Sequence, residues 1–258
     1  MNQEERLNFM ISYLMGERME YADIEIPEYT EGKKRLLRSL MNVRPPMKAD
    51  SEFIKVQDEY LKELAEEKGI TKVKDIPEIQ PGIRLWQGDI TTLEADAIVN
   101  AANSGMIGCF VPCHGCIDNA IHSAAGIQLR LECQEIMERQ QHPEPAGMAK
   151  ITAAYNLPCR HVIHTVGPIV RGKVTEEDRR LLKSCYISCL ETAEAHGLKN
   201  IAFCCISTGE FHFPNMEAAE IAVMTVTDYH SEHRDGPEVI FNVFKDEDYE
   251  IYRRILKD

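Results

Sequence analysis

Between Cys109 and Cys116 the chain gathers three thiols and an imidazole: Cys109, Cys113, His114 and Cys116, flanked by Asn103, Asp118 and Asn119. Thiolate and imidazole are the ligands zinc prefers, and a catalytic zinc site keeps three protein ligands with a fourth position open. His114 and Cys116 form an H-x-C pair whose side chains point the same way along an extended loop. Cys109 returns to them from the far side of the turn Phe110–Pro112, whereas Cys113, adjoining His114, is expected to face away. The predicted ligand set is therefore Cys109, His114 and Cys116 around one zinc ion. A closed four-ligand site that adds Cys113, or buried thiols without a metal, are the two alternatives. The amides and carboxylate beside the cluster suggest a metal that works on a substrate.

Such a cluster has to be held by rigid elements, and from Ile83 onward short apolar runs alternate with helical patterns. Strands are predicted at Ile83–Trp86, Ala97–Asn100, Lys150–Ala154, His161–Thr165, Ile201–Ile206 and Val239–Val243. Helices are predicted at Cys116–Arg139, Glu176–His196, Asn215–His233 and Asp246–Lys257. Thr175 with Asp178 three residues on reads as a capping box, and Gly197 as a C-terminal stop. This alternation implies an α/β layer fold with ligands at the carboxyl ends of the strands. Three strand ends run into loops suited to a diphosphate: Gly88–Thr91, Val99–Ser104 and Ile206–Phe211. In the first, Asp89 can accept from an adenine amino group or cap a turn; in the third, amides around Gly209 can converge on phosphate oxygens.

Residues 1 to about 75 differ in character. They are charged and helical in pattern, with a break at Arg44-Pro45-Pro46, and Phe53, Val56, Tyr60, Leu61 and Leu64 share one helical face that stops at Gly69. This region reads as a helical extension, 1–75, preceding a second unit, 76–258, with Thr71–Gly82 as a linker. The basic run Lys33–Arg38 reads as a solvated helix face.

The chain has 258 residues, 44% of them hydrophobic, enough for a full core and a smaller unit beside it. A formal charge of −13 argues against nucleic-acid partners, whose affinity needs dense Lys and Arg. No apolar run approaches the roughly 20 residues that span a bilayer, and the first residues lack the order of a signal peptide. The expectation is a cytoplasmic protein with no membrane partner, in a compartment where thiols stay reduced. Cys133, Cys159, Cys185, Cys189, Cys204 and Cys205 are expected to be small core hydrophobes. His122 and His164 are expected to be satisfied structural histidines, while His212 is left undecided between ligand and solvent.

Taken in order, GDITTLEADAIVNAANS, IDNAIHSAAG, GMAKITAAYNLPCRHVIHTVGP and IAFCCISTGEFHFPNMEAA resemble the macrodomain family, which binds ADP-ribose. The resemblance runs from about Gly82 to the C-terminus and implies a three-layer α/β/α fold with a mixed central sheet. Where one hydrolytic branch of that family has a glycine-rich loop, this chain has the thiol-rich stretch Gly108–Asp118. That departure is similar to the zinc-dependent subgroup of microbial protein-ADP-ribose hydrolases, which carries an N-terminal helical extension and acts with sirtuin-type ADP-ribosyltransferases. The resemblance implies Asp89 and Ile90 at the adenine and Asn103 at the distal ribose. It implies further ligand contacts from Cys116, Ile117 and Asp118, and from Ser207, Thr208, Gly209, Glu210 and Phe211. Asp118 and Asn103 are the expected catalytic pair; Asp118 orients water or ribose, or simply caps the following helix. The function implied is zinc-dependent removal of mono-ADP-ribose from a modified protein side chain, with an ester on Asp or Glu as the expected linkage. The alternative is a reader module that binds ADP-ribose without cleaving it and keeps a structural zinc.

Overall fold

The computed structural model describes residues 1–257. Three helices come first: α1 (Gln3–Gly16), α2 (Thr30–Val43) and α3 (Ser51–Lys68). Asn2 and Glu5 close a capping box at the start of α1, Pro45 and Pro46 follow the end of α2, and Gly69, at φ +88°, ends α3. Leu7, Met10, Ile11 and Leu14 of α1 recur at helical spacing and bury against Leu37, Leu40 and Met41 of α2 and Phe53, Val56, Tyr60 and Leu61 of α3. Burying a large apolar side chain contributes about 1.5–3 kcal/mol. A half-exposed ion pair such as Arg6 with Glu63 contributes about 0–1 kcal/mol, so the apolar seam holds the three helices together. Leu64, expected on the same face, is only partly buried.

After α3 come β1 (Thr71–Lys72), β2 (Glu78–Gln80), β3 (Ile83–Gln87), β4 (Leu93–Glu94) and β5 (Ala97–Ala101), then α4 (Ile117–Ala125) and α5 (Ile127–Gln140). The chain continues through β6 (Ala149–Ala153), β7 (His161–Thr165), α6 (Glu176–Ala195), β8 (Asn200–Phe203), α7 (Asn215–Glu232), β9 (Glu238–Val243) and α8 (Asp246–Ile255). Seven strands form one mixed sheet in the order β2-β3-β9-β8-β5-β7-β6; the two edge pairings are antiparallel and the rest parallel. Ala97 through Asn100 are buried, so β5 is covered on both faces, as a central parallel strand requires. Helix α7 packs on α6 and α8, which lie on the sheet, while α4 and α5 pack against β5 and β6. This is the expected three-layer α/β/α arrangement with an N-terminal helical extension. The capping box at Thr175 and Asp178 forms as predicted, with Gly197 in the left-handed region just past α6. Among the described residues no helix is long and apolar enough to cross a membrane.

Two expectations need correction. Thr71–Gly82 is not only a linker, because β1 pairs with β4 and β2 lies on the edge of the large sheet. Strands of two and three residues, the second between Pro77 and Pro81, are too short to show a period-two pattern. The helix predicted over Cys116–Arg139 is two helices broken at Gly126, whose φ of 96° and ψ of 175° suit glycine alone. There α3 intrudes: Gln57 Oε1 accepts from the Ile127 amide at 2.9 Å, capping α5 from the extension. A Cβ on residue 126 would stand 2.7 Å from Gln57 Nε2 and 3.0 Å from Asn156 Nδ2. Gly126→Ala is therefore expected to destabilise the protein by about 1–3 kcal/mol, read from chemical denaturation midpoints. An unchanged midpoint would mean that the backbone there is not constrained.

Candidate active site

The loops Gly88–Thr91, Ala102–Ser104 and Cys204–Phe211 leave the carboxyl ends of β3, β5 and β8, strands joined in one parallel array. Parallel pairing puts those ends on one edge of the sheet, where an open α/β fold binds its ligands.

On that edge the ligand atoms of Cys109, His114 and Cys116 lie within 4.8 Å of one another. His114 Nδ1 is buried and has no hydrogen-bond partner, while Nε2 faces the Glu210 carboxylate at 3.6 Å. A carboxylate behind the second nitrogen is the usual way a metal-binding imidazole is oriented. Burial pushes the Cys116 thiol up to about 11, the Asn119 amide opposes that, and Cys109 adds to it. A cation between the sulfurs would favour their thiolate forms. Two thiols and an imidazole with an unpartnered nitrogen make a donor set that fits zinc.

Cys113 turns away from this trio. Its φ of 52° is left-handed, a conformation that costs a non-glycine residue about 1–3 kcal/mol. Helix α2 supplies its partners. The Cys113 amide donates to Asn42 Oδ1 at 2.9 Å, its Sγ donates to the Arg35 carbonyl at 3.4 Å, and Ser39 Oγ lies 3.2 Å from Sγ. Arg38, in the basic run expected to be a solvated face, is half-buried and does different work. Its Nε and Nη2 donate to Asn119 Oδ1 at 3.1 and 2.7 Å, and Nη2 also donates to the His114 carbonyl at 3.1 Å. Asn119 passes the hold on, its Nδ2 donating to the Val111 carbonyl at 3.0 Å. From α5, the buried Arg130 donates to the carbonyls of Met41, Asn42 and Arg44 at the end of α2, and to that of Cys109 at 3.3 Å.

Asp118 is buried at the start of α4, but the helix cap is Cys116, whose Sγ accepts from the Asn119 amide at 3.4 Å. The carboxylate instead accepts from Asn100 Nδ2 at 2.8 Å and from Asn103 Nδ2 at 3.5 Å. Burial raises it to about 6, against the lowering effects of Asn100 and Arg130. Behind it, the His164 ring nitrogens meet Asn100 and Thr152. His122 departs from expectation, being buried with neither ring nitrogen hydrogen-bonded; its Nε2 stands 3.5 Å from Asp118 Oδ1. His122, Cys133 and His164 form a second close grouping, wholly buried. Both nitrogens of His164 are engaged, so this grouping serves as support behind Asp118. Of the other thiols, burial raises Cys159 to about 12 and Cys185 to about 11, so both are neutral packing groups.

In the third loop Ser207, at φ 65°, is buried, and Phe213 and His212 donate back to the carbonyls of Ser207 and Gly209. Among the described residues the amides of Gly209, Glu210 and Phe211 donate to no group of the protein. His212 is exposed at φ 58°. Asp89 does cap a turn, since Oδ1 accepts from the Thr91 amide at 3.0 Å and hydroxyl at 2.6 Å. Its Oδ2 faces Lys68 of α3 at 3.2 Å. Burial alone would raise this carboxyl, but Thr91 and Lys68 together hold it below its ordinary value. The side chain of Ile90 is buried in the core, so any contact it makes in the cleft comes from its backbone.

Sequence reasoning missed Arg38, Asn42 and Arg130, and placed Asn100 only within the loop Val99–Ser104, not against Asp118. Asn100 carried a faint signal, a polar residue ending the apolar run Ala97–Val99. So did α2, where Arg35, Arg38, Ser39 and Asn42 recur at i, i+3, i+4 and i+7 as a polar stripe beside the apolar one.

A family profile described as Macro domain matches residues 99–222. A curated "Protein-ADP-ribose hydrolase" of Treponema medium is 51% identical over 99% of this chain and 100% of its own length. The chain belongs to the macro domain family. A "Probable bifunctional ADP-ribose hydrolase/ADP-ribosyltransferase" of Fusarium oxysporum f. sp. cubense is 43% identical over 88% of this macrodomain protein and 41% of its own length. Among solved structures, the Oceanobacillus iheyensis macrodomain with ADP superposes with a TM-score of 0.63 and 38% identity, over 68% of this chain and 90% of that one.

Proposed function

We propose that this macrodomain hydrolyses mono-ADP-ribose from modified protein side chains, with an ester on Asp or Glu as substrate linkage and one zinc ion at Cys109, His114 and Cys116. The observation that carries the reading is the approach of His114 Nε2 to Glu210 at 3.6 Å, which joins the metal-ligand loop to the loop of free amides. The name of the Treponema relative, protein-ADP-ribose hydrolase, supports the reaction, and the bifunctional Fusarium relative supports pairing with an ADP-ribosyltransferase, here of sirtuin type.

In this reading the free amides of Gly209, Glu210 and Phe211 take the diphosphate oxygens. Asp89 and the Ile90 backbone meet the adenine, and Ile117 and Cys116 line the cleft at the positive end of α4. Phe211 packs the distal ribose, which Asn103 orients. Asp118, held by Asn100 and Asn103, orients the attacking water or the ribose at the bond that breaks. Zinc, when bound, supplies positive charge beside that bond.

The deciding experiment follows free ADP-ribose released from an automodified protein and, in parallel, binding of free ADP-ribose. Release supports the hydrolase; tight binding without release by zinc-loaded protein would make the chain a reader. Gly209 isolates the diphosphate loop, because a Cβ built on it meets nothing within 4 Å. Gly209→Val should therefore leave the melting temperature unchanged while weakening ADP-ribose by about 1–3 kcal/mol, as the branched side chain fills the space phosphate must enter. Equal calorimetric affinity in the two proteins would remove this loop from the site.

A further inference from the structure

Four soft ligands stand in one short loop, yet only three converge. We propose that helix α2 of the extension is a positioning element that holds Cys113 out of the metal's ligand set and so keeps one coordination position open to substrate. The inference rests on the zinc reading above and deepens it.

Left free, a fourth thiol next to His114 would complete a closed tetrahedral site, the form zinc takes when its role is structural. Three observations show how α2 prevents this. Cys113 sits in a left-handed conformation that persists only where its surroundings enforce it. The enforcing groups all belong to α2: Asn42 Oδ1 takes the Cys113 amide, and Ser39 Oγ and the Arg35 carbonyl take its sulfur. Asn42 is itself fixed, buried and donating from Nδ2 to Ser123 Oγ at 2.9 Å. Meanwhile Arg38 and Arg130 grip the carbonyls of His114 and Cys109, the two ligands on either side of Cys113 in the chain. The loop is thus pinned at its ligands while the thiol between them is pulled the other way. Helix α2 decides the ligand count without contributing a ligand.

The test uses cobalt(II) in the full-length protein, because its thiolate charge-transfer absorption grows with the number of sulfurs bound. Wild type should show the two-thiolate signature of Cys109 and Cys116, and Cys113→Gly should leave signature and stoichiometry unchanged while raising the melting temperature by relieving the left-handed strain. Asn42→Leu, which keeps side-chain volume but removes the amide's acceptor, should gain a third thiolate, bind metal more tightly and lose turnover. The double variant Asn42→Leu with Cys113→Gly should return to two thiolates and recover turnover. A purely structural role for Asn42 would not be rescued by deleting a different side chain. A third thiolate in wild type, a changed signature in Cys113→Gly, or an unchanged signature in folded Asn42→Leu would each overturn the inference while leaving the zinc reading intact. Wild-type protein that takes up neither cobalt nor zinc would overturn both.

Discussion

Protein stripped of zinc is expected to bind ADP-ribose nearly as well as the loaded form and to release it from modified protein about 10²-fold more slowly or worse, the order seen when a charge-stabilising group is lost. The separation follows from geometry. Asp89 and the free amides of the third loop belong to the ends of β3 and β8, whereas the proposed metal ligands sit in the long loop after β5. The fold of that loop is held by Arg38, Asn42 and Arg130. Chelation therefore removes charge without dismantling the cleft. Calorimetry and single-turnover release on stripped and refilled protein measure the two effects. Equal release rates in both, with folding verified, would reduce the Cys109–Cys116 loop to a structural clip.

The second large effect belongs to Asp118. Asp118→Ala should keep its zinc and slow the chemical step about 10²–10⁴-fold, the range for a positioned acid–base group. The variant should still fold. Arg130 keeps four backbone carbonyls as partners; Asn100 loses one acceptor and keeps His164, and Asn103 loses a long contact and keeps the Gly108 carbonyl, a loss of about 1–3 kcal/mol. Zinc content by metal analysis, a melting curve and single-turnover rates distinguish a slow enzyme from an unfolded one. Near wild-type release would return Asp118 to the role of a buried support for the start of α4.

What was readable in the sequence was local. The apolar stripe of α3 is written at helical spacing from Phe53 to Leu61, the cap at Thr175 and Asp178 is a three-residue motif, and the ligand trio lies inside one loop where H-x-C spacing already aligns two side chains. The strand-end loops are legible from their small residues, amides and acid, and the resemblance to macrodomains pointed to Asp118. What could not be read depends on residues far apart in the chain. Arg38 looked solvated because nothing nearby reveals that Asn119, 81 positions on, accepts its guanidinium. Gly126 reads as one glycine inside a helix, since neither its backbone conformation nor the Gln57 and Asn156 side chains that crowd it from distant parts of the chain are visible in the residues beside it. Of the two readings of Asp89 the structure shows the cap, Oδ1 accepting from Thr91, while Oδ2 faces Lys68 of α3, a partner 21 positions earlier that its neighbours do not reveal.

Arg130 ties the extension to the loop that follows β5. One guanidinium ties off the last carbonyls of α2 and the carbonyl of Cys109, and beside it Ile127 buries its side chain in the seam between α1, α2 and α3. The extension and the thiol-rich loop are therefore one mechanical unit: moving that loop into a macrodomain lacking α2 would transfer the thiols and the imidazole but not the groups that hold their backbone. Any graft of this loop onto another scaffold has to carry residues 30–44 together with 100–130, although 55 residues separate them in the chain.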